Sequence, residues 1–135
     1  MRALGIDLGT KRIGVALSDR SGSIASPHSV IGRTSKRRDW GEILRIVTEE
    51  EVETIVVGLP LTLSGHEGPA AESARREAAE IGTVTGVPVV LFDERLTTVA
   101  ADRALKEADI RASDRRRHVD KVAAAIMLQA WLDSR

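Results

Sequence analysis

The sequence predicts an α/β protein built on a mixed five-stranded sheet with helices on both faces. Two alternating apolar runs joined by a short polar turn open the chain, which predicts paired antiparallel strands. Two later apolar runs are short, continuous and rich in valine, as expected of strands covered by helices. Stripes at helical spacing separate and follow them, so the order β-β-β-α-β-α-β-α-α gives a sheet that is antiparallel first and parallel later.

The first two strands are Leu4 to Leu8 and Ile13 to Leu17, with Gly9-Thr10-Lys11-Arg12 as their turn. A third runs roughly from Ala25 to Ile31 and, because it contains Pro27, suits only an edge or an irregular position. Thr34 or Ser35 can cap a helix with Trp40, Ile43, Leu44 and Val47 as its apolar stripe. Thr54 to Leu59 reads as a central strand and Pro60 to Gly68 as a polar loop. Pro69 then opens a helix whose Ala74, Ala78, Ile81 and Val84 face inward and which Gly86 and Pro88 end. Val87 to Phe92 is a second buried strand, followed by a short helix from about Thr98 to Ala108 and a charged connector from Ile110 to Arg117. The last helix, from Val119 to Trp131, is apolar around most of its circumference and should pack deep against the sheet.

A chain of 135 residues without a repeat or linker is expected to form one domain, residues 1–135. It contains no cysteine, which excludes disulfides and thiolate chemistry. No stretch resembles a signal peptide or a membrane span, so a soluble, cytoplasmic protein is expected. Twenty basic residues balance twenty acidic ones, so any affinity for nucleic acid must come from local clusters. Lys36-Arg37-Arg38 and Arg115-Arg116-Arg117-His118 are the candidates, and either can equally be a solvated helix end.

Three carboxylates stand out. Asp7 lies within an apolar strand, where its charge needs a metal, a cation or the amides of the following turn. Glu94 follows a buried strand, the place where open α/β sheets build sites, although a simple pairing with Arg95 also accounts for it. Asp120 is the one acid near the start of an apolar helix, a position the helix dipole alone favours. Together they offer hard oxygen donors suited to Mg²⁺ or Mn²⁺ at a phosphodiester. His28, His66 and His118 have no metal-binding spacing.

The segments IDLGTKRIGVALSD, VVGLPL with Gly65 after it, DERLTT and VDKVAAAIMLQ resemble, in order, the four motifs of the YqgF/RuvX family. The resemblance covers nearly the whole chain. It implies a ribonuclease H-like fold and a metal-dependent nuclease, acting on the small-subunit rRNA precursor or on branched DNA such as Holliday junctions. It assigns Asp7, Glu94 and Asp120 to the Mg²⁺ or Mn²⁺ site. Lys11, Arg12, Arg95, Thr97 and Thr98 match other motif positions and would line the substrate phosphates, with Arg115, Arg116 and Arg117 adding charge.

Two other readings remain open. GIDLGT followed by a hairpin also resembles the first phosphate loop of the actin, sugar-kinase and Hsp70 ATPases, and the fold can serve as a non-catalytic RNA-binding platform in ribosome assembly. With so few aromatic residues, readout of backbone and shape is expected over base stacking. The chain would act as a monomer, or as a homodimer if it cuts two strands of a junction.

Overall fold

The computed structural model describes residues 1–61, 64–93, 95 and 112–135, with the side chains of 112–119 left out. Five strands form one sheet: β1 (Ala3–Leu8), β2 (Arg12–Ser18), β3 (Ala25–Gly32), β4 (Thr54–Leu59) and β5 (Val89–Asp93). Their spatial order is β3-β2-β1-β4-β5, with β1 in the middle. The pairs β3-β2 and β2-β1 are antiparallel, whereas β1-β4 and β4-β5 are parallel, so the sheet is mixed as the sequence predicts.

The N-terminal hairpin turns where Gly9 N–H donates to the Arg12 carbonyl at 3.0 Å. Pro27 is accommodated in the edge strand β3, where the pairing slips between Val15 and Ala16. Helix α1 (Lys36–Glu49) starts at Ser35, whose hydroxyl accepts from the Arg38 N–H. Its buried stripe is Trp40, Ile43, Ile46 and Val47, while Leu44 is largely exposed. Ile46 is buried in the main core where the sequence predicts Leu44.

Helix α2 (Pro69–Thr85) begins with Pro69 behind the Gly68 cap and ends at Gly86, which adopts φ 71°. Ala71, Ala74, Ala78 and Ile81 are buried, but Val84 is exposed, since in the last turn Gly82 faces β5, a Cβ there lying 3.3 Å from Val89 Cγ2. Strand β5 starts two residues later than expected, after Pro88, and is half-buried because it is the end strand of the sheet. The expected helix from about Thr98 to Ala108 lies outside the described residues.

The last helix, α3 (Ala112–Asp133), begins before Val119. The charged run 112–117 is therefore helical rather than a connector; Ala and Arg favour helix, and no Gly or Pro interrupts them.

The two faces of the sheet differ in side-chain size. Leu4, Ile6, Ile13, Val15, Ile55 and Val57 point to the side of α1 and α2 and form the main core with Trp40, Ile43 and Ile81. The opposite face carries Ala3, Gly5, Gly14, Ala16 and Val56, and α3 lies on it through Ala124, Ala125, Met127 and Leu128. The approach is close. A methyl on Gly5 would stand 2.8 Å from Leu128 Cβ, and one on Gly14 would stand 1.9 Å from the Asp120 carbonyl oxygen.

Gly14→Ala should therefore push α3 off the sheet and cost about 1–3 kcal/mol, the usual penalty for overpacking. Gly32→Ala is the control, because nothing lies within 4 Å of the added methyl. Urea denaturation of both variants checks this; equal stability would mean that α3 does not sit so near β2.

Candidate active site

The register of the central hairpin brings two of the three carboxylates together. Asp7 pairs across β1 and β2 with Gly14, and residues directly opposite in an antiparallel pair project to the same face. That face belongs to α3, whose Asp120 backbone sits on Gly14. The Asp120 backbone thus lies against the cross-strand partner of Asp7, near the carboxyl end of β1. Asp7 and Asp120 are both half-buried.

Asp120 is the ninth residue of α3, so it lies two turns inside the helix. A helix-start role favoured by the dipole does not explain it, because that effect fades beyond the first turn. Its carboxylate instead holds Arg12: Arg12 Nε donates to Asp120 Oδ2 at 2.6 Å, with side-chain exposures of 31% and 19%. Arg12 lies two positions before Gly14 in β2 and so projects to the same face, diagonally across from Asp7.

Lys11 is exposed at the tip of the β1-β2 turn. Arg95 folds back on Asp93, donating from Nε to Oδ1 at 3.0 Å and from Nη2 to Oδ2 at 2.6 Å. These bonds hold the Asp93 carboxyl below its usual range. The same guanidinium lies against Gly65, where a Cβ would stand 3.3 Å from Arg95 Nη1 and whose φ of 88° itself favours glycine. The loop after β4 and the end of β5 therefore meet through Arg95. Glu94, Thr97 and Thr98 lie outside the described residues, as do the side chains of Arg115, Arg116 and Arg117. Among the described residues no group of three potential metal ligands gathers.

Lys36 of the first basic cluster pairs with Glu80 at 3.2 Å and sits on the α1-α2 side, across the sheet from Asp7 and Asp120. On that side a cavity of about 310 Å³ lies between the β1-β2 turn and α2, lined by Gly9, Thr10, Pro60, Ser73, Arg33 and Glu77 among others. Arg33 clasps Glu77 through two bonds of 2.8 Å, and Trp40 covers its guanidinium at 5.9 Å. The Glu77 hydrogen bonds push the Arg33 pKa further up. Sequence inspection missed this pair, since Arg33 and Glu77 come from a loop and a helix 44 positions apart. It also passed over Gly14, although a glycine inside a strand is itself a sign that another backbone approaches.

The strand order and the two-sided helical cover are those of a ribonuclease H-like fold. The RuvC resolvase of Thermus thermophilus, solved in complex with a Holliday junction, superposes with a TM-score of 0.60 over 99% of this chain and 95% of that one, at 16% identity. The fowlpox virus Holliday junction resolvase follows at 0.58, 10% identity and full coverage of both chains. The chain belongs to the RuvX family, described as Holliday junction resolvases, whose model matches residues 1–134. A relative from Myxococcus xanthus, named "Putative pre-16S rRNA nuclease", is 48% identical over 99% of this chain and 89% of its own. One from Geobacillus kaustophilus with the same name is 47% identical over 100% and 99%.

Glu77→Ala should leave the partly buried Arg33 without its counter-ion and cost about 2–4 kcal/mol, somewhat below the range for a fully buried pair because Arg33 keeps some contact with water. Thermal and urea unfolding test this. A loss below about 0.5 kcal/mol would show that water replaces Glu77 freely.

Proposed function

We propose that the protein is a divalent-metal-dependent nuclease that hydrolyses phosphodiester bonds in the small-subunit rRNA precursor, working in the cytoplasm as a single domain over residues 1–135. One observation supports the reading: Asp120, 113 positions after Asp7 in the chain, has its backbone against Gly14, the cross-strand partner of Asp7 near the carboxyl end of β1. The choice of RNA rests on relatives at 47–48% identity, against 16% for the junction-bound resolvase.

The donor set suits Mg²⁺ or Mn²⁺. Two hard carboxylates lie on the same face, and one already binds a cation, the Arg12 guanidinium. Asp7, Asp120 and Glu94 would hold the metal. Such an ion polarises the phosphodiester and activates water. The protein's own tasks are then to fix the carboxylates and to orient the phosphate. Lys11 at the exposed turn, with Arg95, Thr97 and Thr98, would serve the latter, and no covalent nucleophile is needed. One site cuts one strand, so a monomer suffices.

The direct test incubates the chain with an RNA spanning the 5′ end of mature 16S rRNA and, separately, with a four-way DNA junction, with Mn²⁺ or with chelator. Metal-dependent cut RNA and intact junction are expected. Asp7→Asn, Glu94→Gln and Asp120→Asn should each lower the rate on the order of 10³-fold or more while leaving a folded protein. Full activity of Asp7→Asn would sink the mechanism, and a cut junction with intact RNA would turn the substrate to the one named in the family description.

Arg115, Arg116 and Arg117 are proposed to touch backbone phosphates. Replacing all three by alanine should weaken RNA binding about equally for every sequence and flatten the dependence of affinity on salt, by up to roughly one unit of slope for each phosphate no longer neutralised. Fluorescence anisotropy across a salt series measures this, and an unchanged slope removes the cluster from the interface.

A further inference from the structure

We infer that the cavity between the β1-β2 turn and α2 receives one unpaired nucleobase of the substrate strand, beside the phosphodiester bond that Asp7 serves. The inference rests on the nuclease reading and adds to it a base-holding site on the other face of the sheet.

Placement is the first support. Asp7 and Leu8 are successive residues of β1 and project to opposite faces, Asp7 with Gly14 towards α3 and Leu8 into the α1-α2 side. The cavity is lined by Leu8, Gly9 and Thr10, so it begins one residue beyond the acid at the same end of β1. The Arg33 N–H donates to the Lys11 carbonyl at 3.0 Å, which ties the loop carrying Arg33 to the β1-β2 turn. A single strand that crosses this turn past the exposed Lys11 reaches both faces.

The walls define the occupant. At about 310 Å³ the cavity lies at the lower end of the range for small-molecule sites, about 300–1,000 Å³. Leu8, Pro60 and Ala74 supply apolar surface, and Thr10 and Ser73 bring hydroxyl groups. Arg33 and Glu77 neutralise each other through two bonds of 2.8 Å, with the Glu77 side chain only 8% exposed. The pair is costly to bury and leaves Arg33 Nε without a partner, so stability of the core alone does not account for it. A guanidinium already matched by a carboxylate offers little to a phosphate, which Glu77 would repel. The cavity instead suits a neutral group with apolar faces and a polar edge, and a nucleobase has that chemistry. Each Glu77 oxygen keeps acceptor capacity beyond its bond to Arg33, and bases stack on guanidinium planes.

The test measures affinity by fluorescence anisotropy for short single-stranded RNAs spanning the bond that wild type cleaves, with chelator present so that they stay intact. Each RNA carries one abasic nucleotide, and the set scans the positions around that bond. Wild type should lose about tenfold at one position next to the bond, as for loss of one stacked base, and little elsewhere. Ser73→Leu and Ala70→Leu put bulk into the cavity from α2, Ala70 being an exposed residue of its lining, and circular dichroism verifies that both fold. Each should bind the unmodified RNA about tenfold more weakly and lose the sensitivity at that position. A flat abasic profile in wild type, or folded variants that keep the wild-type profile, overturns the base site, while metal-dependent cleavage by the same wild-type preparation leaves the nuclease reading standing. Inorganic phosphate that competes with RNA for wild type but not for Ser73→Leu would assign the cavity to an anion and overturn it as well. If wild type neither binds nor cuts RNA, the reading as an RNA nuclease is wrong and the base site falls with it.

Discussion

The site depends on the close seating of α3 on the central hairpin. Side chains normally hold a helix off the sheet it covers, yet here the Asp120 carbonyl occupies the space that any side chain on Gly14 would fill. The contact fixes the middle of α3 at Asp120, and Gly5 fixes the next turns at Ala124 and Leu128. Because Gly14 is also the cross-strand partner of Asp7, this one backbone contact sets how near the helix lies to the strand that pairs with Asp7.

The rest of the architecture follows from a division of labour between the faces. The large aliphatic residues of β1 and β2 all point towards α1 and α2, where they form the main hydrophobic core. Burial there supplies most of the stability that lets the other face carry small residues and charge. On the α3 side the buried apolar residues are alanine, valine, methionine and leucine, with Phe92 and Trp131 packed against them. The electrostatic cost of the carboxylates is met locally, by Arg12 on Asp120 and by Arg95 on Asp93.

Placing cations on acids has a functional side. Arg12 and Arg95 match motif positions assigned to phosphate, yet each is bound to a carboxylate in this structure. A guanidinium kept near the site by an acid is already oriented when an anionic substrate arrives, so less conformational entropy is lost on binding.

Much of this was legible in the sequence. Alternation marked β1 and β2, valine-rich runs marked β4 and β5, Pro27 marked an edge, and Pro69 and Gly86 bounded α2, because strands, helices and turns impose local periods and backbone angles. Motif resemblance named Asp7, Glu94 and Asp120, and their type alone pointed to a hard metal ion. Local pattern misplaced Leu44, Val84 and the start of α3, where the outcome turned on which strand lay beneath a given helical turn. Small and large residues also alternate in Ala3-Leu4-Gly5-Ile6, a local sign that one face of β1 admits a helix at close range. Only the tertiary structure decided that Asp120 belongs opposite Asp7, that Arg12 takes Asp120 and that Arg33 takes Glu77. Those partners are separated by 44 to 113 positions, and no local rule of propensity or period relates residues brought together only when a helix packs on a sheet.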